Sequence, residues 1–325
     1  TGQVLRAPAD PLLESSRVFT SRAQSYFPYN YTEAAQCGVV GGLNFNWCMD
    51  ENQANATYRG FNYPHQIMSY YALYRAARNH PRLTTRQTWQ WYLERAANTT
   101  IRLGYAPIGY MDGTVCREVL RSVLEEAAEE KAGRWADLGA KIEAIEKQRS
   151  DFFETAANPY GSEFAYDTTG QEEVVVWLLY FGKDDAAART IEHILQYMRS
   201  LPNWAYNGGA EAGDVANGGK WLVSAGTGRG DSGKMHYRSG LNAIPLIEWY
   251  RRHPDDLETL RIAVGAQSGQ LTNIDDTGAP SIYFHDFPHV MQHDAYSGDY
   301  GLGFFGVSLE ASATFVVDAT LGPLC

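Results

Sequence analysis

The sequence predicts a mainly α protein: an (α/α) toroid built from antiparallel helical hairpins, with long aromatic- and Gly-rich loops. Three observations carry this. Apolar residues recur at helical spacing in one segment after another from Tyr63 onward, and sustained strand alternation is scarce. Several helical segments follow one another across short breaks, which makes antiparallel neighbours their natural arrangement. The chain has 325 residues, too many for a simple four-helix bundle, and hairpins closing into a ring fit that count. An α-solenoid is the alternative, but no fixed-period repeat is visible.

The elements follow in order. Residues 1–60 carry Pro, Gly, Asn and aromatics without a period, and read as an irregular N-terminal segment; residues 61–325 are the toroid. "YPHQIMSYYALYRAARNHP" puts Ile67, Tyr70, Tyr71, Tyr74 and Ala77 on one helical face, and His80-Pro81 stops it. "TTRQTWQWYLERAANTTIRLG" repeats the pattern through Trp89, Leu93, Ala96, Ala97 and Ile101; Thr84 or Thr85 is the expected cap and Gly104 the stop. The long stretch from Arg117 reads as one or two helices with a break at Gly133. "GQEEVVVWLLYFG" and "DDAAARTIEHILQYMRS" form a pair across a short loop. "MHYRSGLNAIPLIEWYRRHP" is a further helix, weakened or kinked by Gly240 and Pro245. "DDLETLRIAVGAQSGQL" and "FFGVSLEASATFVVDA" supply the last two helices.

Composition narrows the function. A hydrophobic fraction of 44% argues against disorder. Aromatics reach 13%, including 8 Trp and 21 Tyr, a surplus of the kind that lines grooves for flat, partly polar ligands such as sugars. The formal net charge is −11 and no Lys/Arg cluster stands out, which speaks against a nucleic-acid partner. That field does not steer polyanions globally, so a uronic-acid polymer would need local arginines. No apolar run approaches a membrane span. Cys37, Cys48, Cys116 and Cys325 include no Cys-x-x-Cys and no zinc spacing to a His; Cys37 and Cys48 are close enough to staple a loop. Sequons at Asn30, Asn55 and Asn98 favour a secreted glycoprotein. Thr1 is not an initiator Met, so the chain is expected to be a mature protein or a processed fragment.

Four groups of residues offer chemistry. The first is "GSEFAYDTTGQEEVVVWLLYFG". Its plain reading is a helix start: Thr169 with Glu172 matches a capping box, and Glu172 and Glu173 are first-turn charges that suit the helix dipole. That reading suits Glu173 best and leaves Glu172 open. Glu163 and Asp167 precede the helix among Tyr160, Phe164 and Tyr166, where a carboxyl gains the raised pKa of a general acid. Paired carboxylates across a sugar bond are the usual hydrolase arrangement. The second group is the long Gly-rich stretch with Trp204, Tyr206 and Trp221, which leads into His236-Tyr237-Arg238. Its "GTGRG" lacks the ending and the preceding strand of a phosphate loop, so no nucleotide site is expected.

The third group, "YFHDFPHVMQHDAYSGDYGLGFFG", holds His285, His289 and His293 with Asp286, Asp294 and Asp299. No HExxH occurs, so a loop of substrate-binding polar groups is preferred to a metal site, and no cofactor is expected. "SGDYG" reads as a tight turn presenting Asp299 and Tyr300. Upstream lie Trp47, Asp50, Glu51, Arg59, Tyr63 and His65, with His65 at a helix start after Pro64.

"GSEFAYDTTGQEEV", "GLNAIPL" and "YSGDYGLGFFG", in this order, resemble the (α/α)-barrel part of a family of secreted fungal and bacterial proteins known only as a domain of unknown function. The resemblance runs from Phe61 to Phe315. It implies a toroid of the kind many glycoside hydrolases and polysaccharide lyases use, often beside a β-sandwich. Residues 1–60 are then a linker from such a sandwich, and that domain or a second chain of the same precursor is the expected partner.

The expectation is therefore a secreted enzyme that hydrolyses an oligo- or polysaccharide. Glu163 and Asp167 are its acid and base, with Glu172 next. His236, Tyr237 and Arg238 position the sugar, Trp47, Trp204 and Tyr206 stack on it, and His65, Asp294, Asp299 and Tyr300 complete the mouth; Asp294 and Asp299 are reserve carboxylates. The alternatives are a lyase, in which Tyr237 abstracts a proton beside His236, and a glycan-binding module without turnover.

Overall fold

The computed structural model describes residues 62–80, 82–104, 109–130, 133–156, 170–200, 237–271, 316–318 and 322–324. These are mainly helical. The helices are α1 (Asn62–Asn79), α2 (Trp89–Leu103), α3 (Gly113–Glu130), α4 (Gly133–Thr155), α5 (Gln171–Tyr180), α6 (Asp184–Ser200), α7 (Tyr237–Arg252) and α8 (Leu257–Leu271). Two strands follow, β1 (Val316–Asp318) and β2 (Gly322–Leu324). The chain divides into two compact units: Thr1–Ala106 with Thr114–Arg149, and Pro107–Gly113 with Ser150–Cys325.

In the first unit, α1 packs on α2. The face read from the spacing is the buried one: Ile67, Tyr70, Tyr71, Tyr74 and Ala77 all lie in the core. Two of these tyrosines carry hydroxyls into the interior and must satisfy them there. Tyr71 Oη meets Ser122 Oγ at 3.1 Å, and Tyr74 Oη donates to Glu126 Oε1 at 2.9 Å. Arg78 Nε donates to the same Glu126 oxygen at 2.9 Å. Burial, and then the bond to Glu126, hold the Tyr74 hydroxyl well above the usual phenol range, so it stays a donor. Trp89 stacks on Trp135 of α4, with centroids 6.1 Å apart and planes 17° apart. Arg78 lies over Trp89 and Arg134 over Trp135, at 5.0 and 4.3 Å from the ring centroids.

The cap of α2 is Thr88, not Thr84 or Thr85: its hydroxyl accepts from Trp91 N–H at 3.3 Å. Thr88 stands directly before the first apolar-periodic residue, the position from which a side chain reaches the third residue of the helix. Gly104 ends α2 as expected, and its N–H donates to Thr100 O at 3.0 Å. The glycine is also required by packing, because a Cβ there would lie 2.1 Å from Ile145 Cγ2. Gly133 falls at the expected break and opens α4.

The second unit is organised around α5. Every residue from Gln171 to Leu179 is buried, the mark of a helix surrounded by protein. It pairs with α6 across a tight turn in which Gly182 takes a φ of 71°, the left-handed conformation that glycine adopts without strain. Helices α7 and α8 form a second pair across a short connection, and α7 packs on both α5 and α6. Helix α7 runs through Pro245 without ending. Arg252 ties the pairs together by donating to Leu179 O at 2.8 Å and to Asp184 Oδ1 at 3.1 Å. Lys183 bonds Asp151 and Glu154 at 2.6 and 2.9 Å; burial works against its charge, but these two carboxylates outweigh it and raise the pKa.

One expected helix is replaced at its end by strand. Val316–Asp318 pairs antiparallel with Gly322–Leu324, Val316 opposite Leu324 and Asp318 opposite Gly322. Two adjacent β-branched valines favour extended backbone, and Gly322-Pro323 cannot continue a helix. Among the described residues no helix is long and apolar enough to cross a membrane.

Candidate functional site

Most of the residues read from the sequence as catalytic or sugar-binding lie outside the described residues: Glu163, Asp167, His236, Trp47, Trp204, Tyr206, Asp294, Asp299 and Tyr300, with the sequon residues Asn30 and Asn55. Tyr237 and Arg238 open α7. His65 is half-buried in the first turn of α1, where its carbonyl accepts from Ser69 Oγ at 2.8 Å. Asn98 is half-buried within α2, between the buried Ala97 and Thr99. Cys116 is a buried thiol 3.6 Å from Thr100 Oγ1; Cys37, Cys48 and Cys325 lie outside the described residues.

The first turn of α5 holds Glu172 of the predicted site, and it departs from the plain reading in two ways. The helix cap is Gly170, with no side-chain cap bond, so the capping box does not form around it. Nor are Glu172 and Glu173 solvated charges: each is 1% exposed. Glu172 Oε2 accepts from Gly113 N–H at 2.8 Å, and Glu173 Oε2 accepts from Tyr110 N–H. A buried carboxylate is costly unless hydrogen-bonded, and backbone amides 59 and 63 residues away supply those bonds. Segment 109–113, sequence GYMDG, is buried throughout, including Asp112. It meets α5 without room to spare, for a Cβ on Gly113 would lie 2.6 Å from Glu173 Cα.

Sequence reading missed His193 on α6. Its Nδ1 lies 3.1 Å from Nε2 of the fully buried Gln171, the residue before Glu172. Burial lowers the His193 pKa below the ordinary imidazole value, so the neutral ring is favoured. The unfolded chain then binds the extra proton more readily, so this contribution is complete above about pH 6.5. It is lost progressively as pH falls from there toward the lower folded value. The thermal midpoint of the wild type should fall between pH 7 and pH 5 more than that of His193→Gln; parallel curves would refute the assignment.

Chemically, this turn offers carboxylates held in fixed orientation, an imidazole against the neighbouring Gln171 side chain and tight backbone packing. Among the described residues no group of three His, Cys, Asp or Glu side chains stands close enough to hold a metal ion. Fold and site together define a mainly helical protein of paired helices with a buried acidic helix start. The chain belongs to DUF5695, a family of unknown function whose profile matches residues 17–325. The match begins ahead of Phe61, where the motif order alone placed the resemblance. Neither the curated proteins nor the solved structures give a match.

Proposed function

We propose that this protein is a secreted carbohydrate-active enzyme, a glycoside hydrolase working by carboxylate acid/base chemistry at the mouth of an (α/α) toroid. The observation that carries the reading is the buried first turn of α5, anchored by Glu172 and Glu173. The aromatic segment bearing Glu163 and Asp167 leads directly into that anchored turn. Carboxylates that hydrolyse a glycosidic bond must be held at a set separation, and a helix fixed at its start gives the adjoining chain a rigid end. Consecutive helices paired across short connections support the toroid. The sequons support secretion, and the surplus of Trp and Tyr supports a sugar ligand. A β-sandwich domain or a second chain of the same precursor is the proposed protein partner.

Tyr237 and Arg238 open α7, which packs on α5, and this keeps a lyase as the second reading. One experiment separates the two. The protein is incubated with neutral and uronic-acid polysaccharides while reducing ends and ultraviolet absorbance are followed. New reducing ends without absorbance are expected, and Glu163→Gln should lower that rate by about 100-fold or more. Both signals together would move the chemistry to Tyr237 and His236. Ligand binding without either signal would make the protein a glycan-binding module.

A further inference from the structure

The two buried glutamates invite a role in proton transfer, but their bonds point elsewhere. A general acid must place its oxygen within hydrogen-bond reach of the leaving group. Glu172 and Glu173 are 1% exposed, and Oε2 of each is committed to a backbone N–H of segment 109–113. The two bonds fall at Tyr110 and Gly113, so they bracket Met111 and Asp112 and fix the segment at both ends. The contact is too close to be incidental: Gly113 leaves no space for a Cβ against Glu173 Cα and only 3.0 Å to Val176 Cβ.

We propose that Glu172 and Glu173 are positioning residues, which clamp segment 109–113 by its amides onto the first turn of α5 and serve the reaction as hydrogen-bond acceptors rather than as acid or base. This rests on the hydrolase reading above. What the clamp needs from each side chain is an acceptor oxygen of the right reach. Glutamine keeps that oxygen and discards the carboxyl group's capacity for proton transfer. Alanine discards both and leaves an N–H buried without its acceptor.

The test uses the full chain, the polysaccharide that the wild type cuts, and kcat per folded molecule, with folded protein counted by circular dichroism. Glu172→Gln and Glu173→Gln should stay within about threefold of wild type, because the bond persists. Glu172→Ala and Glu173→Ala should lose about 10- to 100-fold, the size expected from a misplaced catalytic element. Gln variants as inactive as the Ala variants would overturn the proposal and make the carboxylate a proton donor or acceptor. Ala variants with full kcat per folded molecule would also overturn it, leaving a purely structural bond.

Hydrogen exchange at the Tyr110 and Gly113 amides gives a second readout that needs no substrate. Slow exchange in wild type and the Gln variants, with fast exchange in the Ala variants, supports the clamp; equal rates in all of them refute it. If the wild type cuts no polysaccharide, the hydrolase reading falls while the exchange rates still decide the clamp.

Discussion

Trp177→Ala is expected to destabilise the protein by about 3–5 kcal/mol, the range for removing a fully buried tryptophan. Trp177 is 0% exposed on the helix that the second unit surrounds. Its ring touches Tyr180 and Phe181 at centroid distances of 5.4 and 6.1 Å, and its carbonyl accepts from Ser150 Oγ at 3.3 Å. Alanine would leave a cavity walled by residues that cannot collapse into it without moving α5. Since a whole domain is stable by only about 5–15 kcal/mol, the urea midpoint of the helical circular dichroism signal should fall sharply. Leu83→Ala is the control: Leu83 is 72% exposed, and its loss should change stability by no more than about 0.5 kcal/mol. Equal midpoints for Trp177→Ala and Leu83→Ala would mean that α5 is not the core of its unit.

The same helix shows where sequence reading reaches its limit. The pairing of α5 with α6 follows from two apolar helical segments across a short break, and the buried face of α1 follows from Ile67, Tyr70, Tyr71, Tyr74 and Ala77 alone. Helical periodicity is local: it depends on residues within one or two turns of each other. The destination of Glu172 and Glu173 is not local. Nothing within α5 says that its first-turn carboxylates face inward, because their partners Gly113 and Tyr110 lie 59 and 63 residues earlier. A capping box and a solvated first turn are the local optimum, and tertiary contacts override both. The one available signal was GYMDG itself, an aspartate between two close glycines in an otherwise apolar stretch. The β1–β2 ladder failed for a different reason. Three residues are too few for a strand period to compete with the helix-forming Leu, Glu and Ala before them.

Gly113→Ala has two opposed effects whose sizes decide the outcome. Gly113 opens α3, and by helix propensity alone alanine there would gain about 1 kcal/mol. Against this, the new Cβ would stand 2.6 Å from Glu173 Cα and 3.3 Å from Glu172 Oε2. The first of these atoms is backbone in a fully packed helix and cannot rotate away, so the strain falls in the overpacking range of about 1–3 kcal/mol. Displacing the segment also breaks the Gly113 N–H bond to Glu172 and leaves a buried carboxylate short of a donor, which costs about 1.5–3 kcal/mol more. The losses exceed the gain, and the variant should be less stable by about 2–5 kcal/mol. Gly133→Ala supplies the contrast, since no atom lies within 4 Å of a Cβ at the first residue of α4. With strain absent and only chain entropy at work, it should be stabilising by about 0.4–1 kcal/mol. Urea midpoints of opposite sign for the two variants, with faster exchange at the Tyr110 amide in Gly113→Ala alone, would place the difference in the contact between segment 109–113 and α5. A shift of the same sign and size in both would show that helix propensity, not that contact, governs the position.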